Sequence, residues 1–166
     1  MKDFLTNYFI SNQVLFNYKF FTIHRSKVLD DYNDIVNTEL IDYKKSQGIY
    51  LWINNQTDDI LYVGMSGRLK NDGNKQVIIN DYSVRKRLVS SRKRIYIESL
   101  PKKKDVSTRE FLNKKFSEYP LIQEIRIEVY LFDPIKHKLS PTFIESMVLQ
   151  EIYTNTNSIP LFNNSF

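Results

Sequence analysis

Residues 48 to 64 read GIYLWINNQTDDILYVG, and this stretch restricts the fold more than any other. Two short apolar runs, with Tyr50 and Trp52 in the first and Ile60 and Tyr62 in the second, flank the polar centre Asn54, Asn55, Gln56, Thr57, Asp58 and Asp59. The alternation and the turn-forming centre predict a β-hairpin. Paired strands hold side-chain separations more tightly than a loop does. Tyr50 and Tyr62 are therefore expected near one end of the pair, as two phenols able to address one substrate atom.

A chain of 166 residues, 42% hydrophobic and 26% charged, can bury a core without disulfides or metals. It contains no cysteine, which removes zinc-thiolate, disulfide and thiol-nucleophile chemistry and is compatible with a reducing cytoplasm. Asp3, Asn7, Ser11 and Asn12 interrupt the opening MKDFLTNYFISNQ, so neither a signal peptide nor a membrane span is expected, and the expected location is cytoplasmic.

The net charge is +5, and it is unevenly spread. Between Val84 and Lys104, the bases Arg85, Lys86, Arg87, Arg92, Lys93, Arg94, Lys102, Lys103 and Lys104 face one acid, Glu98, a local balance of +8 that leaves −3 for the rest. A solvated helix face accounts for such a run by itself. Beside a hairpin carrying two phenols it also suits a polyanion, because each cation that neutralises a phosphate releases counterions.

No internal repeat, low-complexity block or linker divides the chain. Residues 1–23 hold seven of the 23 aromatics (Phe4, Tyr8, Phe9, Phe16, Tyr18, Phe20 and Phe21), too many for a disordered arm. Val28, Leu29, Tyr32, Ile35, Val36 and Leu40 recur at helical spacing and predict an amphipathic helix over 26–42, packed on the core or forming a dimer interface. After the hairpin, 65–82 reads mainly as a loop. Ser83 stands where an N-cap would, ahead of the helix-like VRKRLVSSRKR, and Lys102 to Asp105 reads as a connector. Ser107 is placed to cap a second helix ending at Glu118, Arg126 to Phe132 alternates as a strand, and a last helix runs from Pro141 to about Tyr153.

The triplets Gly48-Ile49-Tyr50 and Tyr62-Val63-Gly64, with this order of elements, resemble the GIY-YIG nuclease superfamily over roughly residues 46–166. The resemblance implies an α+β fold, a three-stranded antiparallel sheet flanked by helices in the order β-β-α-α-β-α. Residues 1–45 would then be an aromatic-rich N-terminal extension and 46–166 the nuclease domain. Val84-Arg85-Lys86-Arg87 is similar to the family's arginine-bearing helix, which implies Arg87 as the catalytic arginine, with Arg68 and Arg85 as rivals. Phe143 to Leu149 resembles the helix whose single glutamate is the metal ligand. That implies Glu145 as the ligand of Mg²⁺ (or Mn²⁺), a hard cation that keeps most of its waters, with Glu151 as the rival. Pro160-Leu161-Phe162-Asn163 is similar to the closing signature, which implies Asn163 as its polar anchor, with Asn164 as the alternative.

The chain departs from compact members of the family in several places. Gly64 and Arg87 lie 23 positions apart, Glu145 and Asn163 lie 18 apart, Met65 stands where many members have lysine, and Ser91 where many have histidine or tyrosine. The wide first gap is closer to the restriction-enzyme branch.

The resemblance implies a metal-dependent DNA endonuclease, site-specific in the manner of a small restriction or phage-type enzyme. Tyr50 would take a proton from water, Tyr62 orient the water or phosphate, Arg87 counter the phosphate charge, and Glu145 hold the metal. Asn163 completes the implied catalytic set. Arg68, Arg85, Lys86, Arg92, Lys93 and Arg94 are the expected contacts to double-stranded DNA. Cutting both strands would favour a homodimer or transient oligomer on DNA. A non-catalytic nucleic-acid-binding module on the same fold is the alternative.

Overall fold

The computed structural model describes residues 1–72, 75–78, 83–90, 93–95 and 104–163. From the N-terminus, helix α1 (Lys2–Ser11) leads into strand β1 (Phe16–His24), a short 3-10 turn, helix α2 (Tyr32–Glu39) and a second 3-10 turn. The hairpin follows as β2 (Gln47–Asn54) and β3 (Ile60–Ser66), then two small ribbons, β4 (Leu69–Asp72) with β5 (Lys75–Ile78) and β6 (Lys93–Ile95) with β7 (Lys104–Val106). Helix α3 (Val84–Ser90) lies between the ribbons in sequence, and α4 (Thr108–Glu118), β8 (Glu124–Phe132) and α5 (Pro141–Thr156) complete the chain.

The α+β class is as expected, but the main sheet has four strands rather than three. It is antiparallel throughout, in the order β1-β8-β2-β3, and the added strand comes from the expected extension. β1 pairs with the whole of β8, from Phe16 opposite Phe132 to His24 opposite Glu124. The aromatic N-terminal segment is thus part of the sheet and its cores. The single helix expected over 26–42 is shorter, confined to α2 between the two 3-10 turns.

β2 is buried along its whole length because helices cover both faces of the sheet. On one face Tyr50, Trp52, Ile127 and Val129 pack under α2, α3 and α4 through Tyr32, Val36, Leu88, Phe111 and Leu112. On the other, Ile49, Leu51, Val63, Tyr130 and Phe132 pack against α1 and α5 through Leu5, Phe9, Ile144 and Val148. The period-two alternation therefore sorts side chains between two cores instead of between core and solvent.

Local chemistry sets several element ends. Ser107 and Glu110 form a reciprocal capping box that starts α4, and Pro141 opens α5, whose last turn closes on Asn157 in the left-handed conformation. The Ser83 hydroxyl accepts from the Lys86 N–H, the expected cap, yet α3 ends at Ser90 and Lys93 to Ile95 pair as a strand instead of extending the helix. The segment read as a loop at 65–82 carries the β4–β5 ribbon, and the expected connector contributes β7. Among the described residues no helix is long and apolar enough to cross a membrane.

Candidate active site

Tyr50 lies opposite Gly64 and Tyr62 opposite Trp52 in the β2–β3 register, which makes the two tyrosines diagonal neighbours on the face below α3. Their ring centroids are 5.9 Å apart and their hydroxyls are hydrogen-bonded to each other. Trp52 stacks beside them, 4.6 Å from the Tyr62 ring. The missing side chain of Gly64 makes this arrangement possible. A β-carbon there would come within 2.5 Å of Tyr50 Cζ and 2.6 Å of Tyr62 Cε1, so the rings occupy the space it would fill. Gly48 is required differently. Its φ of 149° and the close approach of the Tyr130 carbonyl from β8 leave no room for any side chain.

β3 is the edge strand of the sheet beside this site, and an unpaired edge needs cover. Three groups supply it in succession. The Phe162 N–H donates to the Leu61 carbonyl at 2.7 Å. The Asn163 side-chain amide accepts from the Val63 N–H at 2.8 Å and donates to the Val63 carbonyl at 2.9 Å. Arg87 Nε makes a long contact of 3.5 Å with the Met65 carbonyl. Asn163 is therefore an anchor that ties the C-terminal tail to β3. Both ends of its amide are engaged by one backbone residue.

Arg87 and Glu145 approach the phenols from different elements. Arg87 comes from α3, while Glu145, half-buried, comes from α5, where Ile144, Val148 and Leu149 are buried around it. The charges of both act on both tyrosines. Burial is the dominant influence, and it favours the neutral phenol. The Tyr50 hydroxyl is held well above its ordinary value by desolvation, then by Tyr62, against the lowering effect of Arg87, with Tyr32 and Glu145 raising it further. Tyr62 is pushed up to about 12 by burial and by Glu145, against its hydrogen bond with Tyr50 and the charge of Arg87. In this state both are phenols at neutral pH. Desolvation thus outweighs the lowering effect of Arg87 on Tyr50.

Tyr50, Tyr62, Arg87 and Glu145 are thus brought together from β2, β3, α3 and α5. Glu151 is not among the charges acting on the phenols, and its carboxylate accepts from Asn155 one turn along α5. Arg85 points the other way from Arg87, donating to Asn37 Oδ1 of α2 at 2.8 Å, and Arg68 is exposed just past β3. Lys86 is exposed on α3 between the two arginines. Lys93 and Arg94 are described only as backbone in β6, and Arg92, Ser91 and Asn164 lie outside the described residues.

Tyr32 escaped the sequence reading as a site residue. Its buried hydroxyl donates to the Leu88 carbonyl of α3, and it adds to the field on Tyr50. Helical spacing marks it as a core residue, and no local signal distinguishes it further.

Glu145 contributes one carboxylate at the margin of the phenol pair, and no group of three or more His, Asp or Glu able to hold a metal occurs among the described residues. Compared with family models, curated proteins and solved structures, the chain matches none.

Proposed function

We propose that this protein is a metal-dependent DNA endonuclease with a GIY-YIG-type site, cutting at specific sequences in the manner of a small restriction or phage-type enzyme of the cytoplasm. The observation that carries the reading is the meeting of two hydrogen-bonded phenols, one guanidinium and one carboxylate at Tyr50, Tyr62, Arg87 and Glu145. They come from four separate elements, and Gly64 is fitted to the rings. The superfamily resemblance of the two triplets supports the same reading.

Phosphodiester hydrolysis needs an oriented water, a counter to the charge on the phosphoryl oxygens, and help for the departing 3′ oxygen. The Tyr50 and Tyr62 hydroxyls supply the first as hydrogen-bond partners of the attacking water. Arg87, at the edge of β3, supplies the second. Glu145 would hold Mg²⁺ or Mn²⁺, which when bound supplies Lewis acidity at the departing oxygen and positive charge beside the phenols. Asn163 keeps β3 and the tail in place around the pair. Cutting both strands calls for two such sites, so a homodimer or transient oligomer on DNA belongs to the proposal.

Incubation of the purified protein with a mixed-sequence plasmid and Mg²⁺ tests it. Discrete fragments are expected. Glu145→Ala should abolish them while leaving DNA binding, and Tyr50→Phe should slow cleavage by about 10²-fold, the usual size of a lost positioning contact. Absence of cutting across many sequences in either metal, or full cutting by Glu145→Ala, overturns it.

One observation favours a second reading, a nucleic-acid-binding module without turnover: burial holds the Tyr50 proton firmly. Binding with a steep salt dependence and no cleavage in any divalent metal would select it.

A further inference from the structure

A second cluster of positive charge stands on the far side of α3 from the phenols. A pocket of about 270 Å³ is lined by Asn37, Lys44, Lys45, Ser83, Arg85 and Lys86, together with Val89. Its described lining carries four cations and no acid. That volume lies just below the ~300–1,000 Å³ of pockets that enclose a drug-sized ligand, so it suits one small anionic group better than a whole cofactor. Its cations are also arranged by the fold. Arg85 is held by Asn37 Oδ1 at 2.8 Å. The start of α3 is tied to the residue just before β2 by the hydrogen bond from the Val84 N–H to the Ser46 carbonyl, 2.9 Å. Lys44 and Lys45 are exposed on the segment between α2 and β2.

Geometry links this pocket to the phenols. Successive helical residues are rotated by about 100°, so Arg85, Lys86 and Arg87 fan across α3, with Arg85 toward α2, Arg87 toward β3 and Lys86 between them. Ser46, the residue just before β2, precedes Tyr50 by four positions, about 13 Å at strand rise. That is roughly the straight-line separation of phosphates about two nucleotides apart on one strand of a duplex.

We infer that the Lys44–Lys45–Arg85–Lys86 pocket is a nucleic-acid backbone subsite, binding a phosphodiester of the same duplex a few nucleotides from the one at Tyr50 and Tyr62. The subsite reads no base. It sets where the strand lies before the scissile phosphate meets Arg87, and it rests on the proposed function. Arg85 supplies a charge held in place by Asn37 Oδ1, and the exposed Lys44 and Lys45 add to it.

The test measures equilibrium binding of a fluorescent duplex by Glu145→Gln protein in EDTA, over about 50–300 mM salt. The background is compared with and without Lys44→Gln/Lys45→Gln, and with a charge-matched control, Lys27→Gln/Lys114→Gln. All four lysines lie on the surface of helices or turns, and thermal melts confirm that each protein is folded. Counterion release contributes about 0.9 to the salt slope per phosphate, or roughly eightfold in affinity at 0.1 M. Lys44→Gln/Lys45→Gln is therefore expected to weaken binding by about five- to eightfold at 0.1 M salt and to flatten the slope by up to about 0.9. The control should change neither by more than about twofold. Affinity and slope matching the control overturn the subsite while leaving the nuclease reading intact. A protein that binds anionic lipid vesicles through these lysines but no duplex overturns both.

Discussion

Each glycine of the two triplets makes room for a specific neighbour. Gly64 makes room for the rings of Tyr50 and Tyr62, and Gly48 for the Tyr130 carbonyl. Gly64→Ala is expected to push the phenols apart, costing about 1–3 kcal/mol of stability by overpacking, with a loss of cleavage larger than that cost alone would cause. Urea unfolding alongside cleavage rate checks it, and a stable, fully active Gly64→Ala protein would show that the phenol spacing is unimportant. Tyr50 and Tyr62 were legible from the sequence because a hairpin register depends on nearby residues. Arg87 and Glu145 were legible only through resemblance, since nothing within α3 or α5 reveals that both point at the same pair of rings. Asn163 was legible as an anchor, but its partner, the Val63 backbone, lies 100 positions away.

Elements divide along the same line. α4 and α5 could be read from their own residues, because the Ser107–Glu110 box and Pro141 are local start signals. β1 could not, because its hydrogen-bond partners are in β8, roughly 100 residues further on. The ribbons β4–β5 and β6–β7 were missed for a related reason: short polar strands carry little alternation, and pairing creates them. Packing makes the N-terminal elements structural. Phe9 is fully buried against Phe16 at 4.9 Å and Phe132 at 5.4 Å. Phe9→Ala is expected to cost about 3–5 kcal/mol, read as a lower denaturant midpoint. That is a large part of the ~5–15 kcal/mol that holds a typical domain together. An unchanged midpoint would mean that α1 is an appendage after all.

Across the whole molecule, buried tyrosines make stability depend on alkaline pH. Tyr62 and Tyr18 are both pushed up to about 12, mainly by burial, and Tyr32, Tyr50 and Tyr130 are raised in the same direction. An unfolded tyrosine titrates near 10, so between about 10 and 12 the folded chain binds more protons than the unfolded one, and stability falls as pH rises. The contribution is fully present below about 10 and disappears through the folded value. Urea midpoints taken from about pH 8 to about pH 12 should hold steady and then drop, and Tyr62→Phe should reduce the drop. A flat profile would mean that the rings are open to water.

The sequence by itself determined the hairpin, its two phenols, the caps of α4 and α5 and the concentration of positive charge, because each depends on residues close together in the chain. Only the tertiary structure decided that the aromatic N-terminus supplies an outer strand and that the two tyrosines are held neutral. It also decided that Arg87, Glu145 and the tail converge on β3, and that Arg85 turns away toward Lys44 and Lys45. Those outcomes depend on burial and on pairings between distant segments. Desolvation of a phenol and closure of a sheet edge exist only once the chain has folded around them.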